Sequence, residues 1–227
     1  MHYPGKELEL FDKANFWRKY IFFKTKKFIK GDILEIGAGL GSFTSTYFKN
    51  TSSITVSELD PINLEFLKKR FAKKNIKIVD KYITEINDNF DSIMYMNVLE
   101  HIEKDEEEIN NSLKILNRNG MLIILVPAHQ KLFSKFDKEI GHFRRYDLDF
   151  FKNLKLQDAK IEKLYYLDSS GYFLYYLNKF FFKDESYPSA FKIFVWDKFF
   201  TPISLFFDFL TNYKFGKNVL CVIKKIN

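Results

Sequence analysis

Three glycines at alternate positions follow a carboxylate in the run Glu35-Ile-Gly37-Ala-Gly39-Leu-Gly41. Glycine permits backbone φ values and a close approach of ligand that a Cβ would block. A nicotinamide-dinucleotide fingerprint needs G-x-G-x-x-G, whose third glycine would fall at position 42, and Ser42 stands there instead. About twenty residues on, Glu58 closes an apolar run, where a carboxylate can accept both ribose hydroxyls of an adenosine. Taken alone, Glu58 reads equally as a surface acid. Residues able to handle a proton are His101, His129, His142 and Tyr146, and Arg144 with Arg145 could hold a carboxylate or phosphate. Each has a plainer reading. His101 could cap or pack beneath a loop, Glu100 could be an orienting or ion-pairing residue, and the 142–146 group could be a salt-bridge network.

The elements that must position these residues follow from periodicity. Residues 7–30 carry a helical apolar stripe, and Gly31-Asp32 ends it. Ile33–Gly37 reads as a buried strand, and residues 42–50 as a helix opening on a Ser42 cap. A second strand over 52–59 leads to a helix from Pro61 to Phe71, with Asp60 at its N-cap and Pro61 at N1. Strands follow at 75–79 and 90–96, then a helix over 103–116 with an acidic first turn that suits the macrodipole. Asn119-Gly120 turns into Met121–Pro127, the most hydrophobic strand. Strand and helix alternate at a spacing that predicts a parallel, doubly wound sheet. Beyond a polar loop over 128–147, a helix is expected over 148–156, a strand over 160–167 and a last strand after Gly216.

Composition sets limits. At 227 residues the chain is long enough for one α/β domain, and no linker suggests a second. The single Cys221 excludes a disulfide framework and a cysteine zinc site, and it reads as a buried thiol. A net charge of +7 invites a nucleic-acid reading. The basic residues are scattered, however, and Lys, Asn, Ile, Phe and Tyr are enriched together, as AT-rich codons would give. The first sixteen residues lack the apolar core of a secretory signal, and no run of about eighteen uncharged apolar residues occurs. A cytoplasmic location is therefore expected.

In order along the chain, LEIGAGLGSFT, SELDP, FDSIMYMNVLEHI and LNRNGMLIILVPAHQ resemble the motifs of class I S-adenosylmethionine (SAM) methyltransferases over most of its length. The usual Pro-Gly-Gly of the turn before the fifth strand is here Arg118-Asn119-Gly120. The stretch VPAHQKLFSKFDKEIGHFRRY is similar to a bacterial subgroup near the ubiquinone-type O-methyltransferases and the methyltransferases of polysaccharide or lipid gene clusters. The resemblance implies a single Rossmann-like α/β domain over 1–227. It would comprise an N-terminal helix (1–30), a core (31–167), an aromatic helical insertion or lid (168–215) and a last strand (216–227). The sheet would be seven-stranded and mostly parallel, with that last strand antiparallel. It further implies that Glu35, Gly37, Ala38, Gly39 and Gly41 line the methionine part of SAM, and Glu58 and Leu59 the ribose and adenine. Asp80 would lie near the adenine amine or be a loop acid, and Asn97, Val98 and Leu99 would contact the cofactor from the other side.

The expected activity is methyl transfer from SAM to a small-molecule, sugar or lipid-linked acceptor, on oxygen. SAM carries the reactive methyl, so the protein need supply proximity, alignment and a base. Without an obvious ligand cluster in the sequence, no metal is expected and turnover should resist EDTA. The aromatic segment 171–215, with Lys179, Lys183, Lys192 and Lys198 among its rings, reads as a lid, as a membrane-surface or lipid-acceptor element, or as a homodimer interface. Rival readings are a nicotinamide-dependent oxidoreductase or epimerase, a SAM-fold binding subunit without turnover, and an RNA methyltransferase. Against the last, Asn97-Val98-Leu99-Glu100 replaces an N-P-P-Y-like motif.

Overall fold

The apolar runs of the sequence become the strands of one sheet, seen in a computed structural model that describes residues 7–50, 53–181 and 188–227, with backbone alone at 50 and 177–181. The expectations for the first six residues, for position 52, for Lys183 and for the Lys179 side chain lie outside that range. Seven strands, β1 (Asp32–Ile36), β2 (Ser53–Ser57), β3 (Lys77–Val79), β4 (Phe90–Met96), β5 (Leu116–Pro127), β6 (Ala159–Leu167) and β7 (Asn218–Lys225), lie in the order β3-β2-β1-β4-β5-β7-β6. Strands β1 to β5 pair in parallel, and β7 runs antiparallel between β5 and β6. The doubly wound sheet is thus present, with its antiparallel last strand. The chain reverses its direction of winding beside β1, which opens a crevice at the carboxyl ends of β1 and β4.

Alternation along the buried strands feeds two cores. Leu34, Ile93, Tyr95 and Ile124 pack on one face with helix residues Ile109, Leu113 and Phe151. Ile33, Met94, Ile123 and Leu220 pack on the other with Tyr20, Tyr47 and Leu67. The first seven α-helices of the described residues are α1 (Glu7–Phe11), α2 (Asn15–Thr25), α3 (Thr44–Tyr47), α4 (Pro61–Arg70), α5 (Asp105–Lys114), α6 (Lys135–Glu139) and α7 (Leu148–Lys152), of which α2, α3, α4, α5 and α7 cover these faces.

Several boundaries differ from expectation. The helix predicted over 7–30 is two helices, because Ala14 is non-helical (φ −79°, ψ 72°) and the Asp12 carboxylate turns to Arg70 at 2.9 Å. Ser42 does not cap α3: its hydroxyl donates to Asp12, and Phe43 occupies the N-cap without a side-chain bond. Asp60 caps α4 as expected, accepting from the amides of Ile62 and Asn63 at 2.9 Å. Asn119 (φ 62°) sits inside β5, where the pairing jumps from Phe90–Leu116 to Ser92–Met121.

The aromatic segment between β6 and β7 forms α8 (Ser169–Phe181) and α9 (Ala190–Val195), the latter passing through a π-turn (Trp196–Phe200) into α10 (Thr201–Leu210). Three buried carboxylates tie it down. Asp208 accepts from the Tyr20 hydroxyl and from the amides of Asp168 and Ser169. Asp168 accepts from the Gly171 amide, Ser204 Oγ and Trp196 Nε1, and Asp197 accepts from the Trp17 amide. No helix among the described residues is long and apolar enough to cross a membrane.

Candidate active site

A cavity of about 650 Å³ opens where β1, β4 and β5 end and β7 begins, as Gly37, Asn97, Pro127 and Asn218 all line it. That volume lies within the range of small-molecule sites. One end is the glycine turn. The amide of Ala38 donates to Ser57 O at 3.1 Å and that of Gly39 to Glu58 Oε2 at 2.7 Å. Gly37 has φ +64°, and a Cβ there would stand 2.7 Å from the Val98 methyls. Gly39 has φ +54° and faces open space apart from Leu8 of α1, 3.5 Å from where its Cβ would be. The turn is therefore a cradle, roofed by α1.

Two carboxylates flank this cradle. Glu35 lines the cavity, and its Oε2 accepts from Thr44 Oγ1 (2.7 Å) and from the Tyr47 hydroxyl (2.5 Å). Oε1 accepts no hydrogen bond from the described residues. Burial pushes Glu35 up to about 7, against the pull of those two donors. Glu58, at the end of β2, is 8% exposed, and its Oε1 accepts from the amides of Leu59 and Asp60, both at 2.9 Å. Burial raises its pKa, and the three amides oppose that rise.

The other end of the cavity is polar. Glu100, His101, Asp137, His142 and Arg145 all face it. Asp137 is the hub. It accepts from Arg145 Nε (2.9 Å) and Nη2 (3.0 Å), from His142 Nδ1 (2.9 Å) and from Ser134 Oγ (2.7 Å). Burial opposes its ionisation, yet His142 and Arg145 together hold the carboxyl well below the usual range. Arg145 Nη1 has no hydrogen-bond partner among the described residues, and the guanidinium lies 5.0 Å from the centre of the Tyr175 ring. Burial, chiefly, lowers His101 to about 3, so it is neutral. Lys217, which also lines the cavity, is lowered by burial, with Asp168 opposing.

The expected residues thus separate into groups. Glu35, Gly37, Ala38, Gly39, Asn97, His101, His142 and Arg145 line one cavity. Glu58 stands behind the glycine turn, linked to it through the Gly39 amide. Gly41 packs against Phe71, and Val98 fills the space beside Gly37. Leu99 is fully buried in the core, Leu59 is half-buried, and Asp80 is exposed outside the cavity. Arg144 and Tyr146 both bind Asp105 of α5, at 2.8 and 2.9 Å. His129 stacks on Tyr166, contacts Gly216 O at 3.0 Å and Asp147 at 3.3 Å, and does not line the cavity. Sequence reasoning missed Asp137, Tyr175 and Lys217. The pattern Ser134-x-x-Asp137, a capping box at the start of α6, was the available signal for the first.

Residues 34–122 match a protein family described as a methyltransferase domain. The likeness over that stretch is to methyltransferases. Among solved structures, coclaurine N-methyltransferase bound to N-methylheliamine and S-adenosylhomocysteine (SAH) aligns with a TM-score of 0.64 at 13% identity, covering 99% of this chain and 83% of that one. A SAM-dependent methyltransferase from Clostridium acetobutylicum aligns at 0.62 and 14%, covering 98% of each chain. The N-methyltransferase NodS from Bradyrhizobium japonicum, complexed with SAH, aligns at 0.60 and 15%, covering 98% and 93%. At such identities the likeness is one of fold. No curated protein matches the sequence. The chain has its glycine turn, Glu35 and Glu58 at the carboxyl ends of β1 and β2, as a parallel sheet requires of a ligand site.

Proposed function

We propose that this chain is a methyltransferase that moves a methyl group from SAM to the oxygen of a small-molecule, sugar or lipid-linked acceptor. The observation that carries the reading is a single cavity with two unlike ends, the glycine cradle and the polar Glu100–His101–Asp137–His142–Arg145 group. Glu35, with a free oxygen toward the cavity, would meet the ammonium of the SAM methionine, with Gly37, Ala38 and Gly39 beneath it. Glu58 and Leu59 would serve the ribose and adenine, and Asn97 the opposite side. Bound SAM supplies an electrophilic methyl on sulfur. The chain's part is to exclude water, to align the acceptor and to hold its hydroxyl beside His101 and His142. Arg145, with one nitrogen unpartnered and its charge offset by Asp137, suits an acceptor that carries a phosphate or carboxylate.

A lipid-linked acceptor is favoured by one further observation. Phe191 lines the cavity and is 72% exposed, and on α10 Phe206 and Phe209 are 61% and 71% exposed. Exposed aromatics of this density mark a surface that meets apolar partners, and lysines 192 and 198 sit among them. Two of the aligned proteins are N-methyltransferases by name, so transfer to an amine is the contrary outcome of the acceptor assay.

Calorimetric titration with SAM and SAH tests the first half. Micromolar binding lost in Glu58→Ala and in Gly39→Val is expected, the latter because a β-branched residue at φ +54° is strained and enters the cradle. A folded wild type that binds neither ligand would overturn the reading. Radiolabelled methyl transfer to lipid extracts and nucleotide sugars then tests the acceptor.

A further inference from the structure

Glu100, His101 and His142 each offer one ligand atom to a common point, all lying within 4.8 Å of one another. They face the acceptor end of the cavity. Glu100 is 1% exposed, and neither of its carboxylate oxygens accepts a hydrogen bond from another described residue; His142 Nε2 lies 3.8 Å from Oε1. A buried carboxylate left in that state is costly unless something compensates its charge. Arg145 is close enough to favour the ionised form, but its Nε and Nη2 are committed to Asp137.

The surroundings prepare both histidines. Asp137, a carboxylate, can only accept, so His142 Nδ1 donates to it, and Nε2 is left on the side of Glu100 as the ring's coordinating atom. The backbone of Gly141 engages His101, and its ring meets that of His142 edge-on at 4.6 Å between centroids. A carboxylate that fixes one histidine nitrogen so that the other can ligate is the outer shell that metal-binding histidines carry.

We propose that Glu100, His101 and His142 bind one divalent first-row transition cation of the zinc or manganese type, whose open position faces the cavity and takes an oxygen of the acceptor. Two imidazoles and one carboxylate match such ions, and three protein ligands leave a position free. Bond lengths of about 2.0–2.2 Å require the side chains to close in by roughly 1 Å, within reach of side-chain rotation. An ion there lowers the pKa of a bound hydroxyl, its proton leaving to water. This replaces the expectation of metal independence, which rested on a sequence in which His142 lies some forty residues from Glu100. The inference deepens the proposed function in the matter of the acceptor's oxygen, but the ion site itself stands without that reading.

The test is calorimetric titration of the chelator-treated full chain with Zn²⁺, Mn²⁺ and Mg²⁺ in separate runs, alongside the visible absorption spectrum with Co²⁺. One Zn²⁺ per chain, bound at least tenfold more tightly than Mg²⁺, is expected, together with a Co²⁺ spectrum of low-symmetry nitrogen and oxygen ligation. Glu100→Gln and His142→Ala should each weaken Zn²⁺ at least tenfold and lose that spectrum, while His129→Ala leaves both unchanged. SAH titration of every variant reports an intact fold. A wild type that binds SAH and no transition cation overturns the ion site, as does Zn²⁺ binding unaltered in both variants. Zn²⁺ binding with those variant effects, in a chain that binds no SAH, keeps the ion site and overturns the proposed function.

Discussion

The Glu35 carboxyl is held in a place that water would ordinarily make comfortable and that burial makes expensive. Its pKa of about 7 exceeds the 4.5 of the free side chain, so the native state binds that proton more tightly than the unfolded chain does. The stability this contributes is fully present below pH 4.5 and is lost as pH rises through 7. Wild-type melting temperature should therefore fall between about pH 5 and pH 8, and Glu35→Gln should flatten that fall. A profile of unchanged slope in the variant would show that another group sets it. Gly37 makes a second prediction. Its φ of +64° and the Val98 methyls 2.7 Å from the missing Cβ leave no room for a side chain. Gly37→Ala should cost about 1–3 kcal/mol of stability in urea titrations and weaken SAM at least tenfold.

Among the elements, the helices between β6 and β7 depend on polar ties as well as on their rings. Asp208 satisfies two backbone amides and the Tyr20 hydroxyl in the interior. Asp208→Ala should cost roughly 3 kcal/mol, because the Tyr20 hydroxyl and the Ser169 amide lose their buried acceptor. The N-cap of α4 is a milder case: Asp60→Ala should cost about 1 kcal/mol, read as a shift of the urea midpoint without change of slope. Elements of this kind were legible to different degrees. The Asp60-Pro61 cap and the apolar runs of β4 and β5 carry their own signals in neighbouring residues, and the structure follows them. The break at Ala14 does not, since it is enforced by Arg70 and Ser42 reaching Asp12 from distant elements. The same holds for the site. Glu35 and the glycines belong to one local turn, whereas Glu100 and His142 meet only because α6 and the loop after it fold back over the end of β4. His129 shows the converse. Its position just past β5 suggested chemistry, but Gly216 and Asp147 take both ring nitrogens.

At the scale of the molecule, the exposed rings of α9 and α10 set a solution behaviour. Vesicles of anionic phospholipid should co-sediment the wild-type chain, and the double change Phe206→Ser with Phe209→Ser should release it without affecting SAH affinity. Equal sedimentation of both proteins would sink the membrane reading. The position of β7 has a different consequence, one of timing. It separates β5 from β6, yet everything from Asp168 to Lys217 is translated before it. At about 5–20 residues per second, a ribosome leaves two strand edges bare for several seconds before their common neighbour emerges. In that interval β5, whose residues Leu122–Val126 are almost wholly buried once the sheet closes, is the segment most open to wrong partners in the cell. Yield on expression should accordingly fall when elongation through 168–217 is slowed, and rise when fewer nascent chains are made at once and so meet one another less often.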